Sequence, residues 1–121
     1  FRDACSEFMN IARIGNKYLA DEEPWKIIKD DPERVKTIIF VSLHISSVIG
    51  VVSEPFLPFT SKKIKSILKS DNHEMKWSWD NLKNNDFLIS ENLKINEPEL
   101  LFSRIEDSEI QKQIDKLNKN N

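Results

Sequence analysis

Pro24 and Trp25 carry the most chemical content in this sequence. They follow the acidic run Asp21-Glu22-Glu23 and open a short helical segment. Proline suits a first helical position, because no N–H is needed there and its φ is already set. Trp25 then lies in the first turn, at the tip of a corner between two helices. A large aromatic side chain at such a tip has two uses. It can plug the core and anchor the turn, or it can stand out as a flat platform on which a ligand ring, such as a nucleotide base, stacks. Taken alone, the residues leave both open.

No catalytic constellation competes with that corner. His44 and His73 are the only histidines and fall in different elements. His44, inside the most apolar stretch, is expected to be a hydrogen-bonded core residue, and His73 a surface residue of a polar loop. With 2 glycines in total, no phosphate-cradling loop can be built. The acidic pairs Asp30/Asp31 and Glu106/Asp107 sit where helix caps are needed, which accounts for them without acid–base work. Cys5 is the only cysteine, so an internal disulfide and a cysteine-based zinc site are excluded within this stretch. It lies on an apolar stripe, as a buried structural thiol would.

Composition narrows the partners. The 121 residues suffice for one domain with a modest core. Charged residues make up 31% of the chain, yet the net charge is only −2. A domain that holds nucleic acid by bulk charge is strongly basic, so any RNA contact here must be local. Phe1 is in phase with the stripe that follows, which suggests a chain starting inside or just before a helix, mid-protein. The early charges Arg2, Asp3 and Glu7 do not fit a signal peptide, and the cytoplasm is the expected compartment. The longest apolar run, Ile38 to Val52, is interrupted by serines, His44 and Gly50. It is expected to fall short of a membrane span and to form a core helix.

The elements that must position the corner are helical. Phe1, Ala4, Phe8, Ile11, Gly15 and Tyr18 recur at 3-4-3-4 spacing, one seam of a helix through Leu19. Gly15 in that seam permits close approach of a neighbour. Pro24 to Lys29 gives one or two turns. Asp31-Pro32-Glu33 then reads as a cap, a first-position proline and first-turn acid, starting a long helix to about Ser53. Its nearly continuous apolar surface makes it the centre of the fold. Pro55 and Pro58 end it. Thr60 is expected to cap a third helix to about Lys69, with Ile64, Ile67 and Leu68 inward and Lys62, Lys63, Lys65 and Lys69 outward. Asp71-Asn72 should stop it. Beyond lies an irregular region, with a short extended piece at Lys76 to Asp80, Asp80 capping a turn through Leu82, and apolar islands at Phe87-Leu88-Ile89 and Leu93-Lys94-Ile95. A last helix, capped by Asp107 or Ser108, carries Ile110, Ile114 and Leu117 on one side. The expected fold is all-α: a helical bundle core over 1–70, and a C-terminal extension with a linker helix over 71–121 packing on it.

Ordered motifs add a resemblance. Asn16-Lys-Tyr-Leu-Ala-Asp-Glu-Glu-Pro24-Trp25 resembles the N-[RK]-Y-[VIL]-x-x-x-x-P-W segment of the anticodon-binding domain of methionyl-tRNA synthetases, class I aminoacyl-tRNA synthetases. Glu54-Pro-Phe-Leu-Pro-Phe-Thr60 is similar to that family's L-x-P-F-x-P helix break. Leu101-Phe102-Ser-Arg104-Ile105-Glu106 is similar to its closing P-L-F-x-[RK]-I-[ED] stretch. The match runs through nearly the whole chain in the family's order.

The resemblance implies a tRNA partner carrying methionine and a CAU anticodon. Trp25 would stack on the first anticodon base, Pro24 would position it, and Asn16 would contact or position the anticodon loop. Arg13, Lys17, Lys26 and Lys29 are then candidates for contacts to the RNA backbone. The whole protein would be a ligase joining methionine to its tRNA with ATP. ATP, with zinc as an option, would belong to a catalytic part not in this chain, because the His-Ile-Gly-His and Lys-Met-Ser-Lys-Ser motifs are absent here. His44-Ile45-Ser46 is no substitute for them. No cofactor, metal, catalytic residue, membrane or DNA is expected in this stretch. The family's further Asn and Arg lie on a helix upstream of Phe1, and the closing stretch would fold back toward the catalytic domain. The competing reading is a helical scaffold, with Trp25 as the plug and Trp77 and Trp79 at a docking surface. Exposure of Trp25 separates the two.

Overall fold

An apolar stripe at helical spacing is best removed from water, and here the stripes of the helices on either side are covered by the long apolar helix that lies between them in the chain. The computed structural model describes residues 1–68, 77–84 and 87–119. Within them lie α1 (Arg2–Glu22), α2 (Pro24–Ile27), α3 (Pro32–Val52), α4 (Pro58–Leu68), α5 (Trp79–Lys83) and α6 (Asp107–Lys119). The described residues contain helices and no strand, so the chain is all-α.

The central helix is α3, packed against α1, α2, α4 and α5. Its serines do not interrupt its apolar surface, because they turn back on their own helix. Ser42 Oγ donates to the Ile38 carbonyl at 2.8 Å, and Ser46 Oγ to the Ser42 carbonyl at 2.9 Å. Consequently the expectation that this stretch falls short of a membrane span needs correction. By length and composition, the 21-residue helix is long and apolar enough to cross a bilayer. Its place between α1 and α4 accounts for that composition as a core helix. Val35, Ile38, Val51, Ile64 and Leu68 are buried along it, with Phe8 from α1.

Two glycines set how close the helices come. A Cβ at Gly15 would lie 2.9 Å from Ile45 Cγ2, so α1 and α3 meet where no side chain fits between them. At the α3–α4 crossing, a Cβ at Gly50 would lie 2.9 Å from both Ile64 Cγ2 and Trp77 Cζ3. The buried Ser61 donates its hydroxyl to the Gly50 carbonyl across the same contact. Phe56, in the turn that ends α3, stacks on Phe8 with ring centres 5.4 Å apart and closes the far end of α1.

Several boundaries differ from the sequence reading. Thr60 does not cap α4, which already begins at Pro58 with Ser61 N–H donating to the Leu57 carbonyl. A proline with preset φ starts the helix three residues earlier than a Thr60 cap would. Asp80 is not the cap of α5 either: Ser78 Oγ accepts the Asn81 N–H at 3.3 Å, and Asp80 sits in the first turn. Asp107 is the first residue of α6, and the Glu106 carbonyl accepts from Glu109 and Ile110. The expected stop at Asp71-Asn72, the surface placement of His73, and Lys69 lie outside the described residues. Cys5 is free and half-buried.

Beyond α5, Leu88 and Ile89 are 2% and 4% exposed and lie in the core. Asn96 stitches the following strand of chain to α4, its N–H donating to the Ile67 carbonyl and its Nδ2 to the Ser66 carbonyl, each at 2.7 Å. These bonds satisfy carbonyls that the last turn of a helix leaves open. Residues of α6 are all exposed, with Ile110, Ile114 and Leu117 among them.

His44 departs from expectation in its chemistry. Its Nδ1 is buried without a hydrogen-bond partner, and its ring meets Phe87 edge-on at 5.1 Å. Burial lowers its pKa from the ordinary 6.5.

Two outcomes follow from this packing. Gly50→Ala should destabilise the fold by about 1–3 kcal/mol, the usual cost of overpacking, as measured by urea unfolding. Lowered pKa at His44 means the unfolded chain binds that proton first as pH falls. Stability should therefore be complete above about pH 6.5 and decline below it, and His44→Gln should flatten this part of the pH–stability curve.

Candidate nucleic-acid interface

The corner between α1 and α3 is built from short-range bonds. The last helical residue of α1 is Glu22, and Glu23 turns left-handed at φ 44°, ψ 55°. Its N–H donates to the Leu19 carbonyl at 3.2 Å, closing the helix end. Such a conformation costs a non-glycine residue roughly 1–2 kcal/mol, and here the proline that follows bars the ordinary helical alternative. Pro24 is buried at the first position of α2. The Lys26 N–H donates to the Glu23 carbonyl at 2.9 Å, and the N–H groups of Asp30 and Asp31 share the Ile27 carbonyl at 3.0 and 2.8 Å. Asp31 then caps α3, accepting the Arg34 N–H at 2.9 Å.

One side-chain contact spans the whole corner. Arg34 Nη2 donates to Glu22 Oε2 at 2.8 Å, joining the last turn of α1 to the first turn of α3. Glu22, through this bond and its charge, raises the Arg34 pKa above its ordinary value. The pair was not picked out from the sequence, since its twelve-residue separation follows no helical period. A signal did exist. Acid at a helix C-terminus and base at a helix N-terminus both oppose the helix dipole, and Glu22 and Arg34 each sit at the unfavourable end.

On this frame Trp25 is 60% exposed, directly after the buried Pro24. A side chain this exposed does not plug the core, whose buried residues at this end are Pro24, Val35 and Ile38. An indole held out in water by a fixed backbone can offer a ring face to another ring, and stacking of this kind is worth about 1–3 kcal/mol per base.

The other candidates are spread around it. Asn16, Arg13 and Lys17 share the exposed outer face of α1. Lys17 is paired with Asp21 at 2.6 Å and Lys26 with Glu23 at 2.7 Å, both exposed. Exposed pairs of this type hold by at most about 1 kcal/mol, so each lysine can exchange its partner for a phosphate. Among the described residues, Arg13 and Lys29 make no ion pair. A groove of ≈ 580 Å³ between α3 and the segment 89–93 lies apart, lined by Lys36, Thr37, Phe40 and Leu93 and not by Trp25. Trp77 packs on Gly50, while Trp79 is exposed. Among the described residues, no group of three His, Cys, Asp or Glu side chains could hold a metal ion.

Comparison with known proteins gives a consistent result. Residues 1–120 match the family described as the anticodon binding domain of methionyl tRNA ligase. The chain is 56% identical over 117 residues to the methionine–tRNA ligase of Flavobacterium psychrophilum, covering 97% of this chain and 17% of that protein. It is 53% identical over 122 residues to that of Christiangramia forsetii, with the same coverage, and 50% identical over 117 residues to that of Phocaeicola vulgatus, covering 97% and 16%. The chain thus spans about a sixth of the length of these curated relatives.

Proposed function

This chain belongs to the family of anticodon-binding domains of methionyl-tRNA ligases, and from that premise we propose that its Pro24-Trp25 corner meets the anticodon loop of a methionine tRNA. Trp25 stacks on the first base of a CAU anticodon, and Pro24 seats the indole. Asn16 contacts the loop from the outer face of α1. Arg13, Lys17, Lys26 and Lys29 meet the RNA backbone. The observation that carries this reading is the 60% exposure of Trp25 directly after the buried Pro24, on a corner fixed by backbone bonds.

Residues 1–70 form the reading core, and 71–121 form an extension and linker. The whole protein is a ligase that joins methionine to its tRNA using ATP in the cytoplasm, with its ATP chemistry in a catalytic domain elsewhere in the protein. Leu100, Phe102 and Ile105, all exposed, are the side chains through which the closing stretch reaches that domain. The scaffold reading required Trp25 to be a plug, and its exposure removes that support.

In the full-length ligase, Trp25→Ala should weaken tRNA binding by about 1–3 kcal/mol, roughly five- to 150-fold. Methionine activation, followed by ATP–pyrophosphate exchange, should stay near wild type, and Trp25→Phe should recover part of the loss. Equal damage to both half-reactions would overturn the stacking role. Quenching of Trp25 fluorescence on titration with methionine tRNA, in a Trp77→Phe, Trp79→Phe background, gives an independent measurement.

A further inference from the structure

The ion pair between Glu22 and Arg34 has no place in the bundle's core and no catalytic or metal-binding company. Both side chains are part-exposed, at 28% and 46%. The pair nevertheless joins the two ends of the segment that carries Trp25, and the other side-chain contacts there, Lys26 to Glu23 and Arg34 N–H to Asp31, are local in sequence. Both members sit at the helix end that the dipole disfavours. A fold that needed only a turn would be better served by the opposite charges at those positions. Residues that break a local preference mark places where another demand acts.

Building on the stacking role of Trp25, we infer that Glu22 and Arg34 are positioning residues for anticodon recognition: their contact closes the α1–α2–α3 corner and holds the indole at one angle. The left-handed Glu23 is the joint about which α2 would otherwise swing. Glu22 fixes the residue before that joint, and Arg34 ties it to the capped start of α3. An indole held in one pose does not give up that freedom when a base arrives, so affinity is kept.

The sign of the effect separates positioning from plain charge. Removing a carboxylate from a surface that meets RNA should tighten binding if Glu22 acts only by repulsion. If it positions Trp25, binding should weaken. In the full-length ligase, Glu22→Gln and Arg34→Gln should each raise the KM for methionine tRNA about two- to fivefold, the range that exposed ion pairs reach. The kcat of aminoacylation and the rate of methionine activation should not change. Exchanging the charges, Glu22→Arg with Arg34→Glu, should restore much of the KM. In a Trp25→Ala background, Glu22→Gln should cause no further loss, because its effect runs through the indole. An unchanged or lowered KM in Glu22→Gln, a charge exchange no better than the single variants, or full additivity with Trp25→Ala would each overturn the inference. The two readings fail separately: normal tRNA binding by Trp25→Ala would sink the stacking role itself, whereas loss in Trp25→Ala with none in Glu22→Gln would sink only the positioning role.

Discussion

The close approach of α1 and α3 at Gly15 is the constraint on which the rest depends. With Ile45 occupying the space of an absent Cβ, the two helices lie side by side, and the chain must reverse between Glu22 and Pro32 with few residues to do it. A proline at each side sets where helix can resume. Pro24 and the first core residues of α3, Val35 and Ile38, are buried at this reversal, while Trp25 is 60% exposed. Trp25 therefore lies outside the packed seam, where the proposed reading puts it to use.

Electrostatics at the corner point the same way. Asp21, Glu22, Glu23, Asp30 and Asp31 gather within one short connection, an unwelcoming field for a polyanion. Several of these acids are occupied: Asp21 by Lys17, Glu23 by Lys26, Glu22 by Arg34, and Asp31 by the backbone of α3. Under the proposed reading, neutralising acid locally would let a chain of net charge −2 meet RNA at this corner without the basic stripe that bulk charge binding needs. In the proposed complex, affinity would rest on ring stacking and a few freed cations, both short-ranged.

Much of this was legible in the sequence. The period of α1, the first-position proline of α2 and the Asp31-Pro32 start of α3 are local signals, and local signals survive folding. The starts of α4 and α5 were misplaced because two residues could serve. Thr60 and Asp80 are good caps in isolation, but Pro58 and Ser78 come earlier and the helix takes the first competent start. His44 was read as hydrogen-bonded because a buried imidazole usually finds a partner. Which atoms surround it depends on Phe87, far along the chain. The Glu22–Arg34 contact was missed for the same reason: it exists only once α2 has turned.

Stacking also limits what this corner can do. Every base has a π-face, so a platform of the kind proposed for Trp25 would give affinity with little discrimination. Choosing one base over another takes hydrogen bonds to base edges, and a missed one costs far more than a weaker stack because a polar group is then left unpaired. Among the candidates, Asn16 alone carries a neutral amide with both donor and acceptor, while Arg13, Lys17, Lys26 and Lys29 suit phosphate. A single amide cannot read three bases. Under the proposed reading, selectivity for one anticodon would therefore require further edge-reading groups at the same loop, and the part of this corner would be to hold the loop in one register while they act.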